Sequence, residues 1–170
     1  MLKLVPKNAV CAEIGVWKGD FSALVLQRKD PRRSYLIDPW EFVESRPDAW
    51  YGGRLAHSQQ DMDAVYEAVC RRFARLPNVK IMRMASIEAA RLIPDEFDWI
   101  YVDGDHTFEG VQADLIVWWE KLKPGGWLTG DDYGLAGWWE NGVQRAVDEF
   151  ARERRLQLKT LDTQFMLRKT

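Results

Sequence analysis

The sequence predicts an α/β fold built on a doubly wound, mostly parallel sheet with helices on both faces. Three observations lead to this prediction. Short apolar runs typical of buried strands alternate with longer segments whose apolar residues recur at helical spacing. Such alternation is typical of parallel strands joined by right-handed helical crossovers. Two short strand-like segments follow one another near residue 170, and we expect the last strand to be antiparallel.

The individual elements follow from the same patterns. The predicted parallel strands are residues 8–16, 33–40, 78–84, 97–104 and 126–133, and the two short strands are 156–161 and 163–169. Helices are predicted at 20–29 with Asp20 as N-cap, around Met62 to Leu76, and at 86–93, 107–122 and 143–153. Residues 124–126, Pro-Gly-Gly, are a helix-ending sequence. Residues 41–57, rich in Trp, Pro, Gly and charge, are expected to form a long excursion.

Composition narrows the class of protein. We expect a single domain, residues 1–170, with a sizeable core. The net charge of −2 gives no electrostatic argument for binding nucleic acid or an anionic membrane. Cys11 and Cys70 have no partners at metal-ligand spacing and are expected to be small buried residues in a reducing compartment. With no signal-peptide pattern and no membrane-length apolar run, the sequence predicts a cytoplasmic protein.

Acidic residues lie at the carboxyl ends of four of the predicted strands. In parallel sheets, ligands bind outside the carboxyl ends of the strands. A fold alone does not require so many acids along one edge, so the pattern indicates a binding site. The acids are Glu13, Asp38, Asp103, Asp131 and Asp132.

The first of these acids opens a glycine turn, Glu13 to Gly19, between a strand and a helix. Gly15 and Gly19 would let the backbone approach a ligand closely, although a tight turn alone also explains them. Trp17 stands at a position where the dinucleotide fingerprint has glycine, and Glu13 would repel a phosphate. The turn therefore favours a nucleoside ligand that lacks phosphates and carries positive charge.

Two further residues fit a nucleoside. Asp38 ends the second strand, where an acid commonly binds ribose hydroxyls, although an N-cap or turn aspartate is the alternative. Ser86 follows the third strand and would lie near an adenine, unless it serves only as a helix N-cap.

Four motifs in this order carry a family resemblance: "EIGVWKGDFS", "LIDPW", "DWIYVDGDHTFEGV" and "LKPGGWLTGDDY". The chain resembles the class I S-adenosylmethionine-dependent methyltransferases over about residues 9 to 168, which implies a Rossmann-like sheet. More narrowly, it resembles the metal-dependent sugar O-methyltransferases of the macrocin O-methyltransferase type. The glycine turn and "KPGG" are widespread among methyltransferases, whereas "DGDH" paired with "DDY" is far narrower.

The resemblance implies roles for particular residues. Asp103, Asp131 and Asp132 match the family's magnesium ligands, and Asp105 matches its proposed general base. The cofactor site is matched by Glu13, Gly15, Trp17 and Asp38, with Gly19 and Ser86 close by and Asp103 bordering it.

Elementary electrostatics supports a cation at the acids. Carboxylates brought together raise one another's pKa unless a cation neutralises them. Oxygen donors without thiolates select a hard ion such as Mg²⁺, with Mn²⁺ or Ca²⁺ as alternatives, and a single His106 does not make a zinc site. An N-capping turn would also explain Asp131 and Asp132, and Asp105 and His106 could be ordinary loop residues.

The expected activity is Mg²⁺-dependent methyl transfer to a hydroxyl of a sugar or glycosylated small molecule. Asp105 would accept the proton, with His106 as the alternative base. Rim tryptophans could stack on the sugar or on adenine; they are Trp40, Trp50, Trp138 and Trp139. Three rivals stay open: a catechol-type O-methyltransferase, a metal-dependent hydrolase of phosphate esters, and a non-catalytic nucleoside-binding module.

The first core strand begins near residue 9, whereas family members commonly carry a sizeable N-terminal cap. Only residues 41–57 and 133–142 then remain to cover the acceptor. We therefore expect an open site, or one completed by a neighbouring subunit of a homo-oligomer.

Overall fold

The computed structural model describes residues 1–170 and contains one seven-stranded sheet. Its strands are β1 (Val10–Ile14), β2 (Arg33–Asp38), β3 (Val79–Arg83), β4 (Phe97–Val102), β5 (Leu122–Gly130), β6 (Lys159–Leu161) and β7 (Gln164–Arg168). The helices are α1 (Asp20–Lys29), α2 (Gln59–Phe73), α3 (Ser86–Leu92), α4 (Phe108–Lys121) and α5 (Gly142–Glu153). A 3₁₀ turn at Leu2–Leu4 and a π-helical turn at Trp50–Arg54 complete the elements.

The strand order is β3-β2-β1-β4-β5-β7-β6. The first five strands pair in parallel, whereas β7 runs antiparallel to both β5 and β6. The predicted Rossmann-like, mostly parallel sheet with an antiparallel last strand is therefore confirmed. Because β1 pairs with β2 on one side and β4 on the other, the chain reverses direction of winding at β1, where such folds form their ligand crevice.

Helices cover both faces, as predicted. The larger core packs α3, α4 and α5 on one face, and its members include Ile14 and Ile100 of the sheet. On the other face, α1 and α2 pack against alternate strand residues such as Cys11 and Leu36. This alternation follows from the two-residue period of a strand, which sends successive side chains to opposite faces.

Several element boundaries differ from the sequence prediction, and two of these differences change how a residue is interpreted. The N-cap of α1 is Gly19, with a φ of 73°, and not Asp20, which is the first helical residue and pairs with Arg72 at 2.6 Å. The strand β5 begins at Leu122 rather than at Gly126, so Pro-Gly-Gly lies within the strand. The helix α4 has already ended at Lys121, since the residue before a proline disfavours helical geometry.

The excursion between β2 and α2 is folded back on itself. The amide of Val43 donates to the carbonyl of Tyr51, and the amide of Gly52 donates to the carbonyl of Ala49. A β-carbon at Gly52 would lie only 1.8 Å from the carbonyl oxygen of Arg46, so this close packing requires glycine. The excursion therefore presents side chains to the sheet edge from a compact loop.

None of the helices combines the length and the apolar character needed to cross a membrane.

Candidate active site

A cavity of about 1190 Å³ opens at the carboxyl ends of β1, β2, β4 and β5. Its wall contains ten of the eleven residues that the sequence predicted for the site. They are Glu13, Gly15, Trp17, Asp38, Ser86, Asp103, Asp105, His106, Asp131 and Asp132. Gly19 is the exception, because it does not line the cavity. A β-carbon there would lie 2.8 Å from the ring of Phe73, so Gly19 is required by packing between α1 and α2.

Gly15 lies where β1 passes over the end of β4. Its φ is 87°, and a β-carbon would stand 2.0 Å from the carbonyl oxygen of Asp103. No side chain fits so close to another strand's backbone. Gly15 is therefore required by the fold itself, in addition to any contact with a ligand.

Glu13 is buried at the end of β1, where its Oε2 accepts a hydrogen bond from the Ser22 hydroxyl at 2.6 Å. Burial raises the pKa of Glu13 to about 8, against the opposing Ser22 bond and with a further contribution from the charges of Asp103 and Asp38. An acid of this kind is neutral at pH 7 without a ligand and becomes ionised when a cationic group is brought next to it.

Asp38 supports the glycine turn. Its Oδ2 accepts from the amide of Trp17 at 2.9 Å and its Oδ1 from the amide of Trp40 at 2.7 Å. Burial raises its pKa, and these backbone hydrogen bonds oppose the rise. Asp38 therefore does stabilise the turn, as the alternative interpretation expected. Each of its oxygens still has a second lone pair that can accept from a hydroxyl in the cavity.

Trp40 was expected at the rim, and this expectation is wrong. Its side chain is completely buried, and its Nε1 donates to the carbonyl of Trp17 at 2.9 Å. The ring packs 5.1 Å from that of Tyr66 on α2. The pattern of a turn around Pro39 does not reveal that α2 covers this residue.

Ser86 is the first residue of α3 and not its N-cap, which is Ala85. Its hydroxyl donates to Oδ1 of Asp114 at 2.5 Å and accepts from Nε1 of Trp118 at 2.7 Å. Both partners belong to α4. The N-cap explanation for Ser86 is therefore wrong, and its side chain instead joins two helices at the cavity wall.

Asp103, His106 and Asp132 form a polar cluster in the cavity. Nε2 of His106 lies 3.3 Å from Oδ1 of Asp103 and 3.0 Å from Oδ2 of Asp132. One donor atom from each residue lies within 4.8 Å of the other two. Burial raises the pKa of both carboxyls. The pKa of His106 is raised overall. Burial alone would lower it, but the hydrogen bond and charge of Asp103 and the charge of Asp132 have the larger effect.

Asp131 is turned away from this cluster. Its Oδ1 accepts from the Thr163 hydroxyl at 2.5 Å and from the amide of Asp132 at 3.0 Å. Its Oδ2 accepts from the Tyr101 hydroxyl at 3.2 Å. Of the three predicted metal ligands, the structure brings together Asp103 and Asp132. The third residue of this cluster is His106 and not Asp131.

Asp105 is held in place partly by Arg46, a residue of the excursion between β2 and α2. Its Oδ1 accepts from Nη1 of Arg46 and from the amide of Thr107, each at 2.9 Å. The pKa of Asp105 is lowered overall. Burial alone would raise it, but the hydrogen bonds from Thr107 and the charge of Arg46 have the larger effect. Arg46 was missed from the sequence, and no local signal marks it, because its partner lies 59 residues away.

Aromatic side chains form the mouth of the cavity. Trp50 is 51% exposed and packs 5.9 Å from Trp17. The Arg46 guanidinium lies 4.7 Å from the ring centre of Trp138. Trp139 packs 4.7 Å from His106, and its Nε1 is buried without a hydrogen-bond partner. Three of the four expected rim tryptophans therefore do line the cavity.

The cluster fits a divalent cation. Asp103 and Asp132 are the hard oxygen donors that Mg²⁺, Mn²⁺ and Ca²⁺ prefer, and the imidazole of His106 adds one softer donor. Two half-buried carboxylates this close repel each other unless a positive charge lies between them. A protonated His106, whose pKa these carboxylates raise, would supply such a charge, and a bound cation would replace it.

Together, the switch-point crevice and its acids define a protein of Rossmann-like fold with a candidate ligand site at the carboxyl ends of its strands. The sequence matches the family described as methyltransferase domain over residues 12–133. The chain therefore belongs to this methyltransferase family. The match confirms the broad class predicted from the motifs. A comparison with curated protein sequences finds no match.

Solved structures share the fold at low sequence identity. A Streptococcus mutans protein, SMU.1697c, assigned as a methyltransferase and solved with SAH, has a TM-score of 0.66 at 14% identity, covering 99% of this chain and 93% of its own. The O-methyltransferase NovP has a TM-score of 0.66 at 20% identity, covering 99% and 74%. A Staphylococcus aureus protein assigned as a caffeoyl-CoA O-methyltransferase has a TM-score of 0.67 at 14% identity, covering 96% and 77%.

Proposed function

We propose that this chain is an S-adenosylmethionine-dependent O-methyltransferase that requires a divalent cation, foremost Mg²⁺, and acts on a hydroxyl of a sugar or glycosylated small molecule. The observation that carries the proposal is the juxtaposition of two sites in one cavity. A nucleoside-type site at Glu13, Gly15 and Asp38 adjoins the cluster of Asp103, His106 and Asp132. Membership of the methyltransferase family supports the cofactor, as does the SAH bound to the protein SMU.1697c.

The residues of the nucleoside-type site suit this cofactor. Asp38 offers lone pairs to the ribose hydroxyls, while its bonds to the turn hold it in place. Glu13 offers a carboxyl that ionises readily beside a sulfonium or ammonium group, since its pKa of about 8 lies close to neutrality. Neither residue suits a pyrophosphate, because Asp38 would present negative charge to it and Glu13 supplies no positive charge.

The acceptor would bind next to the cation cluster. A cation held by Asp103, Asp132 and His106 supplies Lewis acidity, which lowers the pKa of a bound hydroxyl. Asp105 is positioned by Arg46 and Thr107 and kept ionised, so it is ready to receive the hydroxyl proton. Its lowered pKa makes it a weak base, which suits an already acidified hydroxyl better than a free sugar hydroxyl.

A catechol-type acceptor is the second candidate, and the aromatic mouth favours it. Trp138 and Trp139 can pack against a planar ring as well as against a sugar face. A catechol hydroxyl is already acidic, so it depends less on a carboxylate base. Asp105→Asn should therefore lower turnover of a sugar acceptor by roughly 10²- to 10⁴-fold and leave catechol turnover nearly unchanged.

The direct test is transfer of a labelled methyl group from S-adenosylmethionine to a panel of sugars, glycosides and catechols. We expect product only when Mg²⁺ or Mn²⁺ is present, with loss of activity on adding a chelator and recovery on restoring the cation. Asp105→Asn is compared with Asp63→Asn, a carboxylate outside the cavity that pairs with Arg83. Full activity in the chelator would overturn the role of the cation, and transfer only to nitrogen or carbon acceptors would overturn the O-methyltransferase assignment.

A further inference from the structure

The cavity wall contains one further buried acid, Asp114, which lies outside the cation cluster of Asp103, His106 and Asp132. Asp114 projects from α4 and is only 5% exposed. Burial raises the pKa of this carboxyl to about 7, against the opposing bond from Ser86 and with a further contribution from the charge of Asp105. Nothing in the proposed methyl transfer uses it. A carboxyl kept in so buried a place costs free energy unless its oxygens are paired.

The hydrogen bonds of Asp114 leave one oxygen unpaired. Its Oδ1 accepts from the Ser86 hydroxyl, whose own oxygen accepts from Trp118. Its Oδ2 has no partner in the chain. The only sealed side-chain polar atoms without a partner are the indole nitrogens of Trp99 and Trp139, so Oδ2 of Asp114 keeps contact with the cavity. The Ser86 hydroxyl has only one proton and donates it to Oδ1, so Asp114 in its ionised form offers a ligand an acceptor and no donor here.

The topology places this acceptor where a purine base would lie. Asp38, at the end of β2, faces the ribose side of the cavity, and Ser86 follows β3, the next strand outward. The cation cluster lies on the opposite side of β1, at the ends of β4 and β5. A nucleoside whose ribose meets Asp38 and whose sulfur points to the cation cluster must therefore extend its base towards Ser86 and Asp114.

We infer that Asp114 reads the base of the cofactor, with its free Oδ2 accepting a hydrogen bond from the exocyclic amine of adenine. Ser86 is a positioning residue that fixes which oxygen is offered. A purine with a 6-oxo group in place of the amine would present an oxygen to an oxygen, and such a site rejects it. The inference rests on the proposed cofactor, but it does not depend on the acceptor or on the cation.

The test compares two ligands by calorimetry in the absence of any acceptor: S-adenosylhomocysteine and its deaminated analogue, S-inosylhomocysteine. We expect the wild-type protein to bind the adenine compound roughly 10- to 100-fold more tightly, the cost of losing a hydrogen bond to a buried charged group. In Asp114→Asn, the Ser86 proton holds the amide oxygen at the Oδ1 position and leaves the amide NH₂ facing the base. The preference should then disappear or reverse towards the inosine compound.

Two further variants complete the design. Glu109→Gln changes an exposed acid on the same helix and should keep the wild-type preference. Ser86→Ala in the Asp114→Asn background frees the amide to rotate, so affinity for the adenine compound should partly return. Equal binding of both compounds by the wild-type protein, or an unchanged preference in a folded Asp114→Asn, would overturn the inference and leave the proposed function standing. Binding of neither compound by the folded wild-type protein would overturn both.

Discussion

The adjacent carboxylates of Asp131 and Asp132 have different surroundings, and this difference predicts different mutational effects. Asp132 contacts His106 in the cation cluster, whereas Asp131 is engaged by Thr163 and Tyr101. Asp132→Asn should lower the affinity for Mn²⁺ or Mg²⁺ by about tenfold or more, whereas Asp131→Asn should lower it less. Calorimetric titration with each cation measures both. Equal losses would mean that Asp131 turns inward to bind the cation.

Glu13 predicts how stability depends on pH. Its pKa is about 8 in the folded chain and near 4.5 in the unfolded chain, so between these values the folded state binds the extra proton. Stability contributed by this group is therefore full below about pH 4.5 and is lost as the pH rises towards 8. Glu13→Gln should raise the free energy of unfolding at pH 8 by up to a few kcal/mol and change it little at pH 4.5. Urea unfolding at both pH values, with Glu109→Gln as the exposed control, measures this; equal effects of Glu13→Gln at the two pH values would contradict it.

At the scale of elements, the joint between β1 and α1 is controlled by backbone contact. Gly15→Ala would place a β-carbon 2.0 Å from the carbonyl oxygen of Asp103, so the end of β4 must move. Gly134 has a similar positive φ of 79° but nothing within 4 Å, so Gly134→Ala carries only the conformational cost of about 1–2 kcal/mol. We expect Gly15→Ala to cost at least about 3 kcal/mol in denaturant unfolding. Similar losses in the two variants would show that φ alone matters.

Arg46 connects two loops that come from distant parts of the chain. It pairs with Asp105 and packs over Trp138, so it joins the excursion to the loop between β5 and α5. Arg46→Ala should increase amide hydrogen exchange in residues 43–56 and 134–141 together, because each loop loses its contact with the other. Arg54→Ala, in the same excursion but exposed, is the matched control. Faster exchange in one loop alone would contradict a shared contact.

For the molecule as a whole, cofactor binding should appear as thermal stabilisation. Binding to the folded state at 100 times the dissociation constant contributes about 2.7 kcal/mol. For a domain of this size that corresponds to a rise in Tm of roughly 5–10 °C. S-adenosylhomocysteine should produce this shift, whereas NAD should not, because Glu13 and Trp17 disfavour a pyrophosphate. A larger shift with NAD would contradict the assigned cofactor class.

The sheet could be predicted from the sequence because its strands are short, mostly apolar runs with helices between them, as Val10–Ile14 and Phe97–Val102 show. The acids of the site were predictable because they lie at the carboxyl ends of predicted strands, which meet at one edge of a parallel sheet. Long-range contacts were not predictable: the burial of Trp40 under α2 and the pairing of Arg46 with Asp105 have no local pattern. Asp114 did carry a signal, since it is a polar residue near the apolar stripe of Val111 and Leu115, and buried acids at such positions need a partner.

The place of β7 in the sheet has a consequence for how the protein refolds. In the sheet, β7 is the direct neighbour of β5. Along the chain, however, α5, the loop before it and β6 separate the two strands, so they cannot pair until these segments have folded. Until the β6–β7 hairpin docks, the part of β5 that pairs with β7, Trp127 to Gly130, exposes an unpaired edge that a second chain can extend. Intermolecular pairing then competes with a first-order docking step, so the yield of native protein after dilution from denaturant should fall as the chain concentration rises. The hazard comes from the order of assembly and disappears once the sheet is complete.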